Sequence, residues 1–324
     1  MVTLREMLRA ASRTFALGIE RLPGLLGDAV MVAYLLLRVS DYIEDNDEMP
    51  AEQKAALLRL WDQVLAGEQE VSRLLALIGN PEESNPDGLV ARHAAEVLAR
   101  LRSLPPEVQS PIVSNVRDTT LGMARWVLRG PQVESEDDMD DYMHEVAGRV
   151  GYLLTHLFAW YSFTVRLHKD ALMPLAREFG LALQTVNIIR GLREDYERGW
   201  IYVPKSFCDR VHIAREDMFR PEHRAEALQV LDMLTDKAER HLRVALAYIK
   251  ALPPWQHSIR LFCIYPLMFA VRTLAISRHN VRVLEDEVKI TREEVRRIVS
   301  ETTRWGWFNP WLDHYYNRLK QAGE

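Results

Sequence analysis

The sequence predicts an all-α protein, a single domain over residues 1–324 built from roughly ten helices. Three observations predict it. Apolar residues recur at helical spacing over long segments, short polar breaks separate those segments, and no segment shows the alternation of a half-buried strand. The breaks are GNPEESNPDG (Gly79–Gly88), SLPPE (Ser103–Glu107), RGPQVESEDDMDD (Arg129–Asp141) and ALPPW (Ala251–Trp255). Each has the Pro, Gly and Asn/Asp chemistry of a helix–helix connection.

Taken in order, AVMVAYLLL is an apolar helix that runs on into YLLLRVSDYIEDN, Tyr34 to Asn46. VGYLLTHLFAWYSFTV, Val150 to Val165, is the longest stretch without Asp, Glu, Lys or Arg. It falls short of the roughly 18 apolar residues of a membrane span, and Thr155, His156 and Ser162 lie in it, so it reads as a buried core helix. FGLALQ leads into NIIRGLREDYERGWIYVP, Asn187 to Pro204, a helix-like run with Gly191 at its centre. Thr291 and Glu294 form a capping-box start for TREEVRRIV.

Composition excludes several function classes. With 48% hydrophobic residues the chain can bury a large core, and a net charge of −5 without a basic arm argues against nucleic acid. Two cysteines, Cys208 and Cys263, are too few for a disulfide framework or a cysteine zinc site. The N-terminal MVTLREMLRAASRTF places charges where a signal peptide needs its apolar core, so the expected setting is cytoplasmic, with no transmembrane anchor. The aromatic residues Trp305, Trp307, Phe308, Trp311, Tyr315 and Tyr316 are a candidate interfacial patch for peripheral membrane contact. The alternative is that they pack on the protein's own core.

Two acidic stretches carry the candidate chemistry. On the first, Tyr34, Arg38, Asp41 and Asp45 fall within a stripe about 60° wide, with Glu44 at its edge. Two carboxylates on adjacent turns with an arginine one turn behind suit Mg²⁺ held against a diphosphate. A solvated acidic helix end is the competing reading, but carboxylates that continue a buried apolar helix want a partner. On the second, Gln184, Asn187, Gly191, Glu194 and Asp195 share one helical face. Two such helices opening onto one cavity would form a two-sided clamp.

Between them lies YMHEVAGRVG, Tyr142 to Gly151. With SRTF (Ser12–Phe15), YLLLRVSDYIED, LQTVNIIRGLRED (Leu183–Asp195) and RLFCIYPLMFAVRTLA (Arg260–Ala275), it makes the chain resemble the squalene/phytoene synthase family over nearly its whole length. DYIED and FCIYP are nearer the squalene synthases of that family than the phytoene synthases. The resemblance implies an isoprenoid-synthase fold, with helices around a central apolar cavity, and head-to-head condensation of two farnesyl diphosphates through a cyclopropyl diphosphate. It implies Mg²⁺ at Asp41, Glu44, Asp45, Asn187, Glu194 and Asp195, and hydride from NADPH if squalene is the product. Tyr142 matches the proton-removing tyrosine, with Tyr34 a second candidate. Ser12, Arg13, Phe15, Arg38, Gln184 and Arg190 are the substrate-binding set, the arginines as bidentate diphosphate partners. His144 and His156 read as core or interface histidines.

The chain departs from the family where Gly191 replaces an aspartate, and less consequentially at Asn46. Other readings are a paralogue making presqualene diphosphate, dehydrosqualene, hydroxysqualene or another prenyl product, and a non-catalytic family member.

Overall fold

The computed structural model describes residues 2–79, 81, 85–130 and 133–321, except the side chain of Arg13. Among the described residues every regular element is helical, as the patterning predicts. The helices are more numerous than ten, with eighteen α-helices among those residues. Caps divide runs that read as continuous. Ser12 and Ser162 each turn a hydroxyl onto a backbone N–H three residues on, at 3.1 Å and 3.4 Å, and start a new helix there. The apolar stretch at Val150–Val165 is split in this way. Helix Arg149–Tyr161 buries Leu153, Leu157 and Phe158, whereas Tyr161 and Phe163, beside the break, are exposed.

The chain forms two compact units, residues 1–130 with 152–169 and residues 131–151 with 170–324. In the first, helices Ala51–Leu65 and Pro106–Arg129 pack along one another, tied by Arg117 donating to Asp62 at 2.7 Å. Helix Gly24–Glu44 lies against Pro106–Arg129, and Ser40 and Thr120 share a buried hydrogen bond of 2.7 Å across that contact. The C-terminal end of Gly24–Glu44 carries the first acidic stretch. There Lys54, buried itself, donates to the Glu44 carbonyl at 2.8 Å, a cation placed on the negative end of the helix.

In the second unit, the tyrosine motif explains its own glycines. Helix Glu136–Met143 passes into a π-helical turn, His144–Gly148, and then into Arg149–Tyr161. This segment crosses helix Lys169–Arg190 backbone on backbone. A Cβ on Gly151 would lie 2.0 Å from the Ala176 carbonyl oxygen, and one on Gly180 would lie 2.3 Å from that of Ala147. Only glycine admits so close an approach. Arg260, from the RLFCIYP segment, is fully buried and donates to the carbonyls of Ile249 (2.8 Å), Leu252 (2.7 Å) and Gly306 (3.2 Å) and to Asn309 Oδ1 (2.6 Å). It satisfies the open carbonyl end of helix Arg224–Ala251, which accounts for a buried arginine without any catalytic role. Its host helix, His257–Ser277, is long and apolar enough to cross a membrane by composition, but its most apolar window is 78% buried within the protein.

The aromatic residues near the C-terminal end of the chain divide between the two readings. Tyr315 and Tyr316 are buried and Trp311 is half-buried, so these three belong to the core reading. Trp305, Trp307 and Phe308 are exposed, and so is Trp255. His257, two residues after Trp255, bonds the carbonyl of Thr303, two residues before Trp305, at 3.0 Å.

Helices Glu136–Met143, Lys169–Arg190 and Arg224–Ala251 are joined by a charged cluster. Lys237, 2% exposed, holds Asp140 at 2.6 Å, while His241 Nδ1 meets Glu178 at 2.6 Å and His241 Nε2 lies 3.7 Å from Asp140. Burial and Lys237 oppose the imidazolium, but the two carboxylates outweigh them and raise the His241 pKa above 6.5. A raised histidine pKa contributes stability that is complete below the unfolded value and is lost as pH climbs through the folded one. Melting temperatures measured from pH 6 upward are therefore expected to fall more steeply for the wild type than for His241→Gln. Parallel curves would show that the imidazole carries no net charge here.

Candidate active site

The first acidic stretch gathers a compact group in the first unit. Ser12 caps helix Arg13–Ile19, its hydroxyl accepting the Phe15 N–H at 3.1 Å. Phe15 packs against Tyr34 with ring centroids 5.8 Å apart. The Arg38 guanidinium lies over the Tyr34 ring, 5.3 Å from its centroid, and pairs with Asp41 one turn on. Asp41 is 9% exposed, Glu44 is half-buried as the last residue of its helix, and Asp45 is the exposed C-cap. Arg13 matches the resemblance as a diphosphate ligand, but its side chain lies outside the described residues.

Burial dominates the electrostatics. It pushes the Asp41 carboxyl up to about 7, against the pull of Arg38 and with the push of Asp45 and Asp87. Burial likewise raises Tyr34 and Asp87. On Arg38 burial acts against the charge, but Asp41, Tyr34 and Asp87 hold the guanidinium protonated above its ordinary range. One guanidinium thus faces several carboxylates in a poorly solvated place, an imbalance that a divalent cation relieves. The donors are all oxygen, the chemistry Mg²⁺ prefers. Among the described residues no three His, Cys, Asp or Glu form a ready metal cage. Mg²⁺ needs none, since it keeps several waters and takes one or two carboxylates together with substrate phosphates.

The second acidic stretch lies in the second unit, and here the expected continuous helix is corrected. Helix Lys169–Arg190 ends before Gly191, which caps the short helix Leu192–Glu197 with φ −94° and ψ 12°. The bonds Gly191 N–H to Asn187 O and Asp195 N–H to Gly191 O, each 2.9 Å, carry the helical pattern through the break, which is why the sequence reads as unbroken. Asn187 is exposed, its amide 3.5 Å from Gln184 Oε1. Glu194 is exposed, and Asp195 is half-buried 4.0 Å from Arg198. Arg190 pairs with Glu287 at 3.1 Å, a partner the sequence did not suggest.

Gly191 is required neither by its backbone nor by crowding. A Cβ there would lie 3.5 Å from Asn187 O and 3.7 Å from Asp195 Oδ2, ordinary contacts. Aspartate is also a favoured N-cap. Gly191→Asp is therefore expected to fold and, with a carboxylate beside Asp195, to lower the Mg²⁺ concentration needed for half-maximal activity severalfold. Metal-titrated kinetics check this; a fall in activity with an unchanged Mg²⁺ requirement would instead show that the open space serves the substrate.

Tyr142 is buried in the second unit, and its ring stacks on Tyr202 with centroids 4.7 Å apart. Its hydroxyl donates to Tyr202 Oη at 3.1 Å, and Trp200 extends the stack at 5.7 Å from Tyr202. His144 and His156 are half-buried, and burial lowers the pKa of each, as suits packing histidines. Sequence reasoning missed Tyr202 and Asp87. The available signals were the aromatic pair in GWIYVP beside the second acidic stretch, and an aspartate following an Asn–Pro helix start.

A family model described as squalene/phytoene synthase matches residues 8–294. Squalene synthase of Eremothecium gossypii is 30% identical over 322 residues, 98% of this chain and 71% of that protein. Squalene synthase of Homo sapiens is 30% identical over 301 residues, covering 93% and 69%. The solved ligand complex of TcSQS superposes with a TM-score of 0.84 at 27% identity, covering 98% of this chain and 90% of that one. A dehydrosqualene synthase structure shares the fold, with a TM-score of 0.64 at 18% identity over 93% and 94% of the two chains.

Proposed function

The chain belongs to the squalene/phytoene synthase family and is a prenyltransferase, and from that premise we propose that it condenses two farnesyl diphosphates head to head into a cyclopropyl diphosphate, which hydride from NADPH would reduce to squalene. The observation that carries this reading is the buried Arg38–Asp41 pair with its surplus of carboxylate, built to meet a metal-bound diphosphate. Mg²⁺, when bound, supplies charge neutralisation for the departing diphosphate. Asp41, Glu44 and Asp45 would hold it in the first unit, and Asn187, Glu194 and Asp195 in the second.

The protein's own groups do the rest. Arg38 and the Ser12 hydroxyl bind diphosphate oxygens, with Arg38 held in orientation by the Tyr34 ring. When the C–O bond breaks, the electron pair leaves with the diphosphate, and the double bond of the second substrate attacks the allylic carbon. Ring closure to the cyclopropyl diphosphate releases a proton. Tyr142 Oη relays it, taking this proton as it gives up its own, and the released diphosphate is the base on which the proton ends; the hydrogen bond to Tyr202 orients the Tyr142 hydroxyl. The aromatic stack beside Tyr142 excludes water that would otherwise quench the cation. The exposed Trp255, Trp305, Trp307 and Phe308 support a peripheral lipid contact through which an apolar product leaves.

The test is incubation of the purified protein with farnesyl diphosphate and Mg²⁺, with and without NADPH, and identification of the products. Squalene with NADPH and presqualene diphosphate without it are expected. Gly191, which withholds a carboxylate, favours a second reading in which the family member makes another prenyl product. Dehydrosqualene or hydroxysqualene under both conditions would establish that reading, and no prenyl product under either would overturn both.

A further inference from the structure

Asp87 comes from a segment the sequence assigns to an interhelical break, yet it is placed with care. Helix Pro86–Arg92 begins at Asn85, whose Oδ1 accepts the N–H groups of Asp87 and Gly88, each at 3.0 Å. Gly88 lets this helix press against Gly24–Glu44: a Cβ there would lie 3.2 Å from the Tyr42 ring and 2.6 Å from Pro81 Cβ. The cap and the close approach together bring Asp87 Oδ2 to 3.7 Å from Arg38 Nη1, while Arg38 Nη2 meets Asp41. The guanidinium is thus shared by two carboxylates from two helices, with the Tyr34 ring on its face. Arg38 Nε and Asp87 Oδ1 are both buried without a hydrogen-bond partner, so the pairing is deliberately incomplete.

We propose that Asp87 is a positioning residue that holds Arg38 partly off Asp41, keeping an Asp41 oxygen open for a divalent cation. Without Asp87, both guanidinium forks close on Asp41 as a bidentate pair, and the carboxylate is consumed by the arginine. The inference rests on the reading of Asp41 as a metal ligand.

The test uses Asp87→Asn, which keeps size and the helix start, and Asp87→Glu, which restores the charge. In Asp87→Asn the Mg²⁺ concentration for half-maximal activity is expected to rise about tenfold, the scale seen when a metal ligand loses its orienting partner. That rise exceeds the fall in kcat at saturating Mg²⁺, and Asp87→Glu recovers most of it. Mn²⁺ titration followed by electron paramagnetic resonance, without substrate, is expected to show the same loss of affinity. That measurement stands even if the proposed prenyl transfer fails its own assay. Unchanged Mn²⁺ affinity in Asp87→Asn overturns the proposal. So does a loss confined to kcat, or a lowered melting temperature that Asp87→Glu does not repair.

Discussion

Asp41→Asn is expected to reduce turnover at least a hundredfold, the scale of losing one charge-stabilising group at a reacting centre, while the protein stays folded. Both halves of that expectation follow from burial. The carboxylate is already pushed to about 7, so the folded protein gains little stability from its charge near neutral pH. An amide of the same shape therefore replaces it with small structural cost, and Arg38 retains Asp87. In the proposed reaction diphosphate departure depends on the charge, because the amide is a far weaker ligand for a hard cation. Turnover assays with circular dichroism and Mg²⁺ titration check the result. Near-normal turnover would remove Asp41 from the chemistry, and an unfolded variant would show that the Arg38 pair is structural.

Tyr142→Phe should lower formation of the cyclopropyl product by about 10²–10⁴-fold, the usual range for a lost general acid–base group. The ring and its stack on Tyr202 survive in this variant, so substrate binding should persist. Tyr202→Phe provides the contrast. It leaves Tyr142 with its hydroxyl but removes the acceptor at 3.1 Å, and should give a smaller loss with a shifted pH profile. Product analysis under single-turnover conditions separates the two variants. Equal and slight effects from both would return the tyrosine pair to packing.

The helical class and the Tyr34–Arg38–Asp41 group were legible because spacing along one helix is a local property. The pattern places these residues on one face whatever the rest of the chain does. Asp87 was not legible, because nothing local ties it to Arg38; the contact is made by an asparagine cap and a glycine approach that only the fold brings together. Tyr202 was hidden for a similar reason, since a stacked partner in a connecting segment has no periodicity to announce it. Gly191 misled in the opposite direction. Its flanking hydrogen bonds are helical, so the second acidic stretch reads as one continuous helix and the break in its backbone leaves no mark in the sequence. Ser162 cuts the apolar stretch at 150–165 short because a hydroxyl three residues from an N–H competes with helix continuation.

The crossing at Gly151 and Gly180 bears on how such a chain can diversify. Where two main chains touch without intervening side chains, their spacing is fixed by backbone van der Waals contact and does not depend on which apolar residues fill the surroundings. Tyr142, nine residues before one contact, and Asn187, seven residues after the other, inherit that fixed spacing. Neighbouring Leu, Val and Met positions are then free to drift in size without moving Tyr142 relative to Asn187. A laboratory library seeking new products should randomise those apolar positions and hold the two glycines constant. Variants at the glycines should be lost from the active pool before selectivity is ever measured.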